Sequence, residues 1–74
     1  MSEPLYPRGM SRTEAATYIG ISPSLFDEMV QDGRMPGPKL INTRTVWDRI
    51  ALDRAFEQLP NRDQAAADEW QVAV

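Results

Sequence analysis

Hydrophobic residues recur at helical spacing in two short segments early in the chain and in one longer segment after its middle. In the first segment, "SRTEAATYIG", alanine and isoleucine residues fall on one side of a predicted helix. Ser11 and Glu14 have the spacing of a capping box at its start. Gly20 is the residue type that ends helices in a left-handed conformation. The pattern predicts a first helix between Ser11 and Gly20.

The second segment, "SPSLFDEMVQDG", predicts an amphipathic helix that begins almost at once and stops at Gly33. Ser22 is a suitable N-cap, and Pro23 suits the first helical position because its missing N–H has no partner there. The apolar stripe consists of Leu25, Phe26, Met29 and Val30, and the opposite side of Ser24, Asp27, Glu28 and Gln31. Two short helices joined around a glycine are typical of a helix-turn-helix.

The segment "GRMPGPKLINTRTVW" predicts a small β-hairpin. Pro36 and Pro38 exclude a helix there, whereas "KLI" and "TRTV" contain residues that favour strands. Asn42 and Thr43 lie between these two runs and are predicted to form the turn.

A third helix is predicted over "VWDRIALDRAFEQL", with Thr45 as its cap and Asp48 close to its positive end. Pro60 ends it. Its apolar band consists of Trp47, Ile50, Ala51, Ala55, Phe56 and Leu59. Trp47 is expected to pack the hairpin against the helices.

The predicted fold is mainly α with a small β-hairpin, a winged helix-turn-helix of three helices. Residues 1–10 have no hydrophobic period and are interpreted as an extended arm, and residues 11–59 as the domain. Residues 60–74 form an acidic tail, for which a fourth helix capped by Asn61 is one interpretation.

At 74 residues the chain is expected to form one domain with a modest core. It contains no cysteine and no histidine, which excludes disulfides, the usual zinc sites, a thiol nucleophile and an imidazole base. We therefore expect no enzymatic activity and no cofactor. The sequence has neither a signal-peptide pattern nor a long apolar run, so we expect a cytoplasmic protein.

The net charge of −3 argues against a nucleic-acid binder only if the charge is evenly distributed. Residues 33–49 contain Arg34, Lys39, Arg44 and Arg49 against a single acidic residue, Asp48. Residues 60–74 contain three acidic residues against one arginine. A local basic segment therefore precedes an acidic tail.

The run from "SRTEAATYIGIS" through "SPSLFDEMVQDGRMP" to "RTVW" resembles the excisionase-like and AlpA-like DNA-binding proteins of the MerR-like winged-helix superfamily. The resemblance covers residues 11–56. It implies a second helix in the major groove of double-stranded DNA and a wing on the adjacent backbone or minor groove. Such proteins act in phage or mobile-element excision, in transcriptional regulation or in DNA packaging.

Carried over by position, the resemblance implies two groups of DNA-binding residues. The groove-facing group is Arg12, Thr13, Ser22, Ser24, Asp27, Glu28 and Gln31, and the wing group is Arg34, Lys39, Asn42, Thr43 and Arg44. Glutamine can read adenine, a carboxylate can accept from cytosine, and basic wing residues neutralise phosphates. Because the second helix carries Asp27 and Glu28, we expect weak binding by a monomer, strengthened by homodimers or cooperative arrays.

Several of these residues also have a purely structural interpretation. Ser11 and Ser22 can act as caps alone, and the polar side of the second helix can be a solvated surface. A second functional hypothesis is a protein-interaction module that binds a recombinase, integrase, repressor or packaging partner through its acidic helix and tail. A small-molecule sensor is a third alternative, although no segment predicts a pocket.

Overall fold

The computed structural model describes residues 6–63, which contain three helices and one three-stranded antiparallel sheet. The elements in chain order are β1 (Gly9–Met10), α1 (Arg12–Ile19), α2 (Pro23–Gln31), β2 (Lys39–Ile41), β3 (Arg44–Asp48) and α3 (Arg49–Glu57). The strands lie in the order β1-β3-β2, so that β3 is central.

Helix α1 begins and ends as its sequence predicts. The Ser11 hydroxyl accepts from the Glu14 amide at 3.2 Å, and the Glu14 carboxylate accepts from the Ser11 amide at 2.9 Å. Gly20 has a φ of 95° and donates its N–H to the carbonyl of Ala16. The capping box and the glycine end are thus confirmed, and both are local features of the sequence.

Helix α2 also has the predicted start. The Ser22 hydroxyl accepts from the Leu25 amide at 3.1 Å, and Pro23 occupies the first turn. The helix ends at Gln31, with Asp32 as its C-cap, and Gly33 follows with a φ of 91°. The predicted pair of short helices is confirmed, with three residues between them.

The predicted hairpin is present, but the start of the third helix lies elsewhere. Strands β2 and β3 pair antiparallel, with Ile41 opposite Arg44, and Asn42 takes a left-handed φ of 55° in the turn. Asp48 caps α3 by accepting from the Ile50 amide at 3.2 Å, so the prediction of Thr45 as the cap was wrong. Thr45 and Trp47 belong to β3, because pairing with β1 extends this strand to Asp48.

Strand β1 was not predicted, since residues 1–10 were interpreted as an extended arm. Gly9 lies opposite Asp48 and Met10 opposite Trp47, and the Met10 side chain is fully buried. The Tyr6 ring packs edge-to-face on Tyr18, with 4.9 Å between the ring centroids. Residues 6–10 are therefore part of the folded unit.

The core lies between the helices and one face of the sheet. Its buried residues are Met10, Ala15, Ala16, Phe26, Met29, Met35, Trp47 and Leu52. The predicted apolar band of α3 was partly wrong: Leu52 is its fully buried residue, whereas Ile50 and Phe56 are exposed. Helix α3 begins after Asp48 and not after Thr45. The side of α3 that faces the core is therefore determined by its direct connection to strand β3.

The fourth helix predicted for residues 60–74 falls largely on residues 64–74, which lie outside the described part of the chain. Within residues 6–63, no helix has the length and apolar character needed to cross a membrane.

Candidate functional site

The hairpin carries two exposed cations, Lys39 at the start of β2 and Arg44 at the start of β3. Within residues 6–63, no carboxylate lies in ion-pair range of either side chain. The pKa of Asp48 is lowered mainly by its hydrogen bond with Arg8, and Lys39 adds only a smaller, longer-range charge interaction. The positive charges of the hairpin are therefore available to an external anion.

Arg34, predicted to act with these cations, is held by a neighbouring carboxylate instead. The Asp32 carboxylate accepts from the Arg34 backbone amide at 3.1 Å and from its Nε at 2.9 Å. Hydrogen bonding from Arg34 lowers the pKa of Asp32 below its ordinary value. An aspartate two residues before the arginine, next to a glycine, is the sequence signal that could have predicted this turn.

Arg12 and Asp27 form a bidentate ion pair between α1 and α2. The Arg12 Nε and Nη2 atoms donate to the two Asp27 carboxylate oxygens at 2.9 and 2.8 Å. Hydrogen bonding from Arg12 is the main reason that the pKa of Asp27 is lowered. This pairing offsets one of the two negative charges on α2 that oppose binding to phosphates.

The remaining predicted residues of α1 and α2 differ in what their side chains can do. Thr13, Ser24, Glu28 and Gln31 are exposed, whereas the Ser22 oxygen is already used as the helix cap. Leu25, assigned to the apolar stripe, has 39% of its surface exposed beside Ser24. The outward face of α2 thus presents one hydroxyl, one carboxylate, one amide and one aliphatic group.

The end of the hairpin is apolar as well as basic. Asn42 and Thr43 are exposed in the turn, and Leu40 and Ile41 are 70% and 59% exposed immediately before it. Sequence reasoning treated these two residues only as strand formers. Both lie on the edge strand β2 next to the turn, and neither packs against the buried core.

Trp47 holds the hairpin against α2. Its ring packs edge-to-face on Phe26, with 5.2 Å between the centroids, and its Nε1 donates to the Pro36 carbonyl at 2.9 Å. The Met35 amide donates to the Met29 carbonyl at 3.0 Å. Both the loop after α2 and the strand β3 are therefore fixed to the same helix, so the outward face of α2 and the hairpin belong to one rigid unit.

Two further polar pairs join other elements of the fold. Arg8 binds the Asp48 carboxylate, and the Tyr18 hydroxyl donates to Asp53 at 2.6 Å. The hydrogen bond to Asp53 and partial burial raise the pKa of Tyr18. Because both groups have internal partners, neither needs an external ligand. The described residues hold no cluster of three acidic side chains placed to bind a metal ion.

The described residues carry no net formal charge, and the −3 of the whole chain comes from Glu3, Asp68 and Glu69. The charge objection to nucleic-acid binding therefore does not apply to the described fold itself. No protein-family model, curated protein or solved structure matches the chain.

Proposed function

We propose that the protein binds double-stranded DNA with sequence preference as a winged helix-turn-helix. In this proposal α2 enters the major groove and the β2–β3 hairpin acts as the wing on the flanking backbone. The observation that carries it is the pair of unneutralised cations, Lys39 and Arg44, on a hairpin fixed to α2 through Trp47. A rigid unit with cations beside an exposed polar helix face is suited to contact phosphates and base edges together.

The exposed chemistry of α2 supports base reading more than tight non-specific binding. Gln31 can form a bidentate pair with adenine, and Glu28 can accept from the exocyclic amine of cytosine. Asp27 does not take part in this reading while Arg12 holds it. The residual carboxylate of Glu28 repels phosphates, and it therefore lowers affinity for sequences that lack a suitable base partner.

The resemblance to excisionase-like and AlpA-like proteins supports a role in a phage or mobile element. That role is assembly on DNA during excision, or regulation of transcription. With only two unneutralised cations on the wing, a single copy gains few phosphate contacts. We infer that useful affinity comes from homodimers or cooperative arrays on repeated sites.

The test is binding of the purified protein to DNA fragments from around its own gene, at several salt concentrations. The wing variant is Lys39→Ala with Arg44→Ala. Each lost phosphate contact reduces the steepness of the plot of log affinity against log salt by about 0.9. The magnitude of this slope is therefore expected to be about 1.8 smaller for the wing variant than for the wild type.

Arg54→Ala provides the matched control, because Arg54 is an exposed arginine in the last turn of α3, away from the hairpin. We expect this control to bind like the wild type. Equal losses per removed charge in the two-charge wing variant and in this one-charge control would mean that general charge, not the wing, drives binding. A complete absence of binding at low salt would reject the DNA proposal.

A second candidate function is a protein-interaction module, favoured by the exposed Glu28 on α2 and the exposed Phe56 on α3. A recombinase or repressor with a basic groove would be a suitable partner. Because Asp27 is paired with Arg12, Glu28 is the acidic residue of α2 that such a partner would contact, together with the acidic tail. A pull-down in which a partner is lost with Glu28→Gln, from a protein that retains no DNA at low salt, would favour this alternative.

A further inference from the structure

We propose that the tip of the hairpin is an apolar wedge that inserts Leu40 between two base pairs and kinks the DNA, with Ile41 supporting it. This inference rests on the proposed function and adds to it a deformation of the DNA. Aliphatic side chains inserted at a base step in the minor groove partly unstack it and bend the duplex.

The exposure of the two residues is the first observation. At 70% and 59%, Leu40 and Ile41 are the most exposed large hydrophobic residues of the described chain. They are consecutive and lie on an edge strand, where proteins commonly place charges to prevent association with other strands. Two consecutive exposed aliphatic residues at such an edge make both faces of the strand end apolar, which is the reverse of this usual protection.

The strand register gives the wedge its shape. Leu40 lies opposite Thr45 and Ile41 opposite Arg44, so the two aliphatic side chains project from opposite faces of the ribbon. Leu40 shares its face with Trp47, but it lies beyond the buried core. The end of the hairpin is therefore apolar on both faces, next to a tight turn at Asn42.

Charge selects DNA as the partner. Lys39 and Arg44 flank the aliphatic pair in the sequence, and within residues 6–63 neither has a carboxylate in ion-pair range. Arg8, Arg12 and Arg34, by contrast, are all engaged by carboxylates. By the strand register both cations share the face of Ile41, opposite to Leu40. The hairpin thus combines an apolar tip with positive charge along one face, which is complementary to a base step beside a phosphate backbone.

The wedge also predicts which base step it takes. Pyrimidine–purine steps such as TA and CA are the easiest to unstack, so the kink is expected at such a step beside the sequence read by α2. The preference would arise from deformability and not from hydrogen bonds made by the hairpin.

The experiment uses the full chain and the DNA fragment selected in the binding assay. 2-Aminopurine is placed at successive positions to report unstacking, and dyes at the two ends report the bend by energy transfer. We expect a fluorescence increase confined to one step, and a bend within the range of about 20–90° known for inserted wedges.

Leu40→Ala is expected to abolish the fluorescence increase and most of the bend, whereas Leu40→Met, which retains a long apolar side chain, should keep both. Phe56→Ala is the matched control, because it removes a large exposed hydrophobic residue from α3 and should change neither signal. Circular dichroism checks that each variant is folded.

The outcomes separate the two proposals. DNA that is bound without local unstacking, or that is unstacked equally by Leu40→Ala, would overturn the wedge and leave DNA binding intact. Loss of self-association in Leu40→Ala, with the DNA signals unchanged, would assign the aliphatic pair to a contact between copies and also overturn it. No binding at low salt would reject both proposals.

Discussion

Replacing Trp47 by phenylalanine tests whether the indole joins the hairpin to the rest of the fold. The Trp47 side chain is buried against Phe26, and its Nε1 donates to the Pro36 carbonyl at 2.9 Å. Phenylalanine preserves an aromatic ring beside Phe26. It removes the donor and the second ring of the indole.

Two effects set the size of the expected loss. The Pro36 carbonyl, which is only half-buried, loses its donor, at a cost of about 1 kcal/mol, the low end for an unsatisfied group. The missing ring atoms leave a packing defect that costs about 1–2 kcal/mol more. The sum of about 2–3 kcal/mol lowers the melting temperature of so small a domain by roughly 10–20 °C.

Thermal and urea unfolding followed by far-UV circular dichroism measures this loss, and hydrogen exchange at the Met35 amide measures its local part. That amide lies in the loop that Trp47 holds, and it donates to the Met29 carbonyl in α2. Its protection should therefore fall further than that of the α1 amides. Phe56→Leu makes a comparable reduction in side-chain size at an exposed position. It should change the free energy of unfolding by no more than about 0.5 kcal/mol.

The reasoning would be refuted if Trp47→Phe unfolded within about 0.5 kcal/mol of the wild type, the range of ordinary surface substitutions. Such a result would mean that the hairpin and the loop are held by the backbone pairing alone. If the Met35 amide kept its protection from hydrogen exchange while the free energy of global unfolding fell strongly, the loss would come from core packing and not from the hydrogen bond to Pro36.

Three further predictions concern acid stability, a helix end and base reading. Hydrogen bonding from Arg8 lowers the pKa of Asp48, so its contribution is present above the unfolded pKa of about 3.9 and is lost as the pH falls through the folded pKa. The stability difference between wild type and Asp48→Asn, measured by urea unfolding, should therefore be present at pH 6 and shrink below about pH 4. Gly20→Ala should destabilise by about 1 kcal/mol because of its left-handed φ, whereas Gly37→Ala should be neutral in the same unfolding assay. If α2 reads the major groove, replacing thymine by uracil opposite Leu25 should weaken binding by about 0.8 kcal/mol, about fourfold, and Leu25→Ala should abolish that difference.

The parts of the fold that were predictable from sequence are those set by neighbouring residues. The capping box at Ser11, the cap at Ser22 and the left-handed end at Gly20 each depend on residues within one or two turns. The hairpin was also predictable, because its two strands are separated by only Asn42 and Thr43.

Long-range pairing could not be predicted in the same way. Gly9 and Met10 lack a strand pattern of their own, and they become β1 only because β3 offers a free edge 37 or more residues later. That pairing decides that Asp48, and not Thr45, caps α3, although both residue types suit the position.

The residues of the candidate site show the same division between features that the sequence predicts and features that only the structure reveals. Arg34, Lys39 and Arg44 are equivalent as basic residues of one segment, but only the structure separates the arginine held by Asp32 from the two unneutralised hairpin cations. Likewise, Arg12 and Asp27 were assigned separately to DNA and are in fact partners of each other. Exposure of Leu40 and Leu25 depends on where the core ends, which the hydrophobic pattern alone does not define.

The pairing of β1 with β3 also bears on how the chain acquires its structure. Both helix caps of the α1–α2 pair, and the hairpin turn, close over a few residues and can form within microseconds. The β1–β3 ladder, by contrast, has to bring together residues nearly forty positions apart, which carries a larger loss of chain entropy. The pairing of β1 with the central strand therefore completes the sheet last. During synthesis, Met10 stays exposed to solvent until Trp47 and Asp48 have been made, because β1 pairs with these residues.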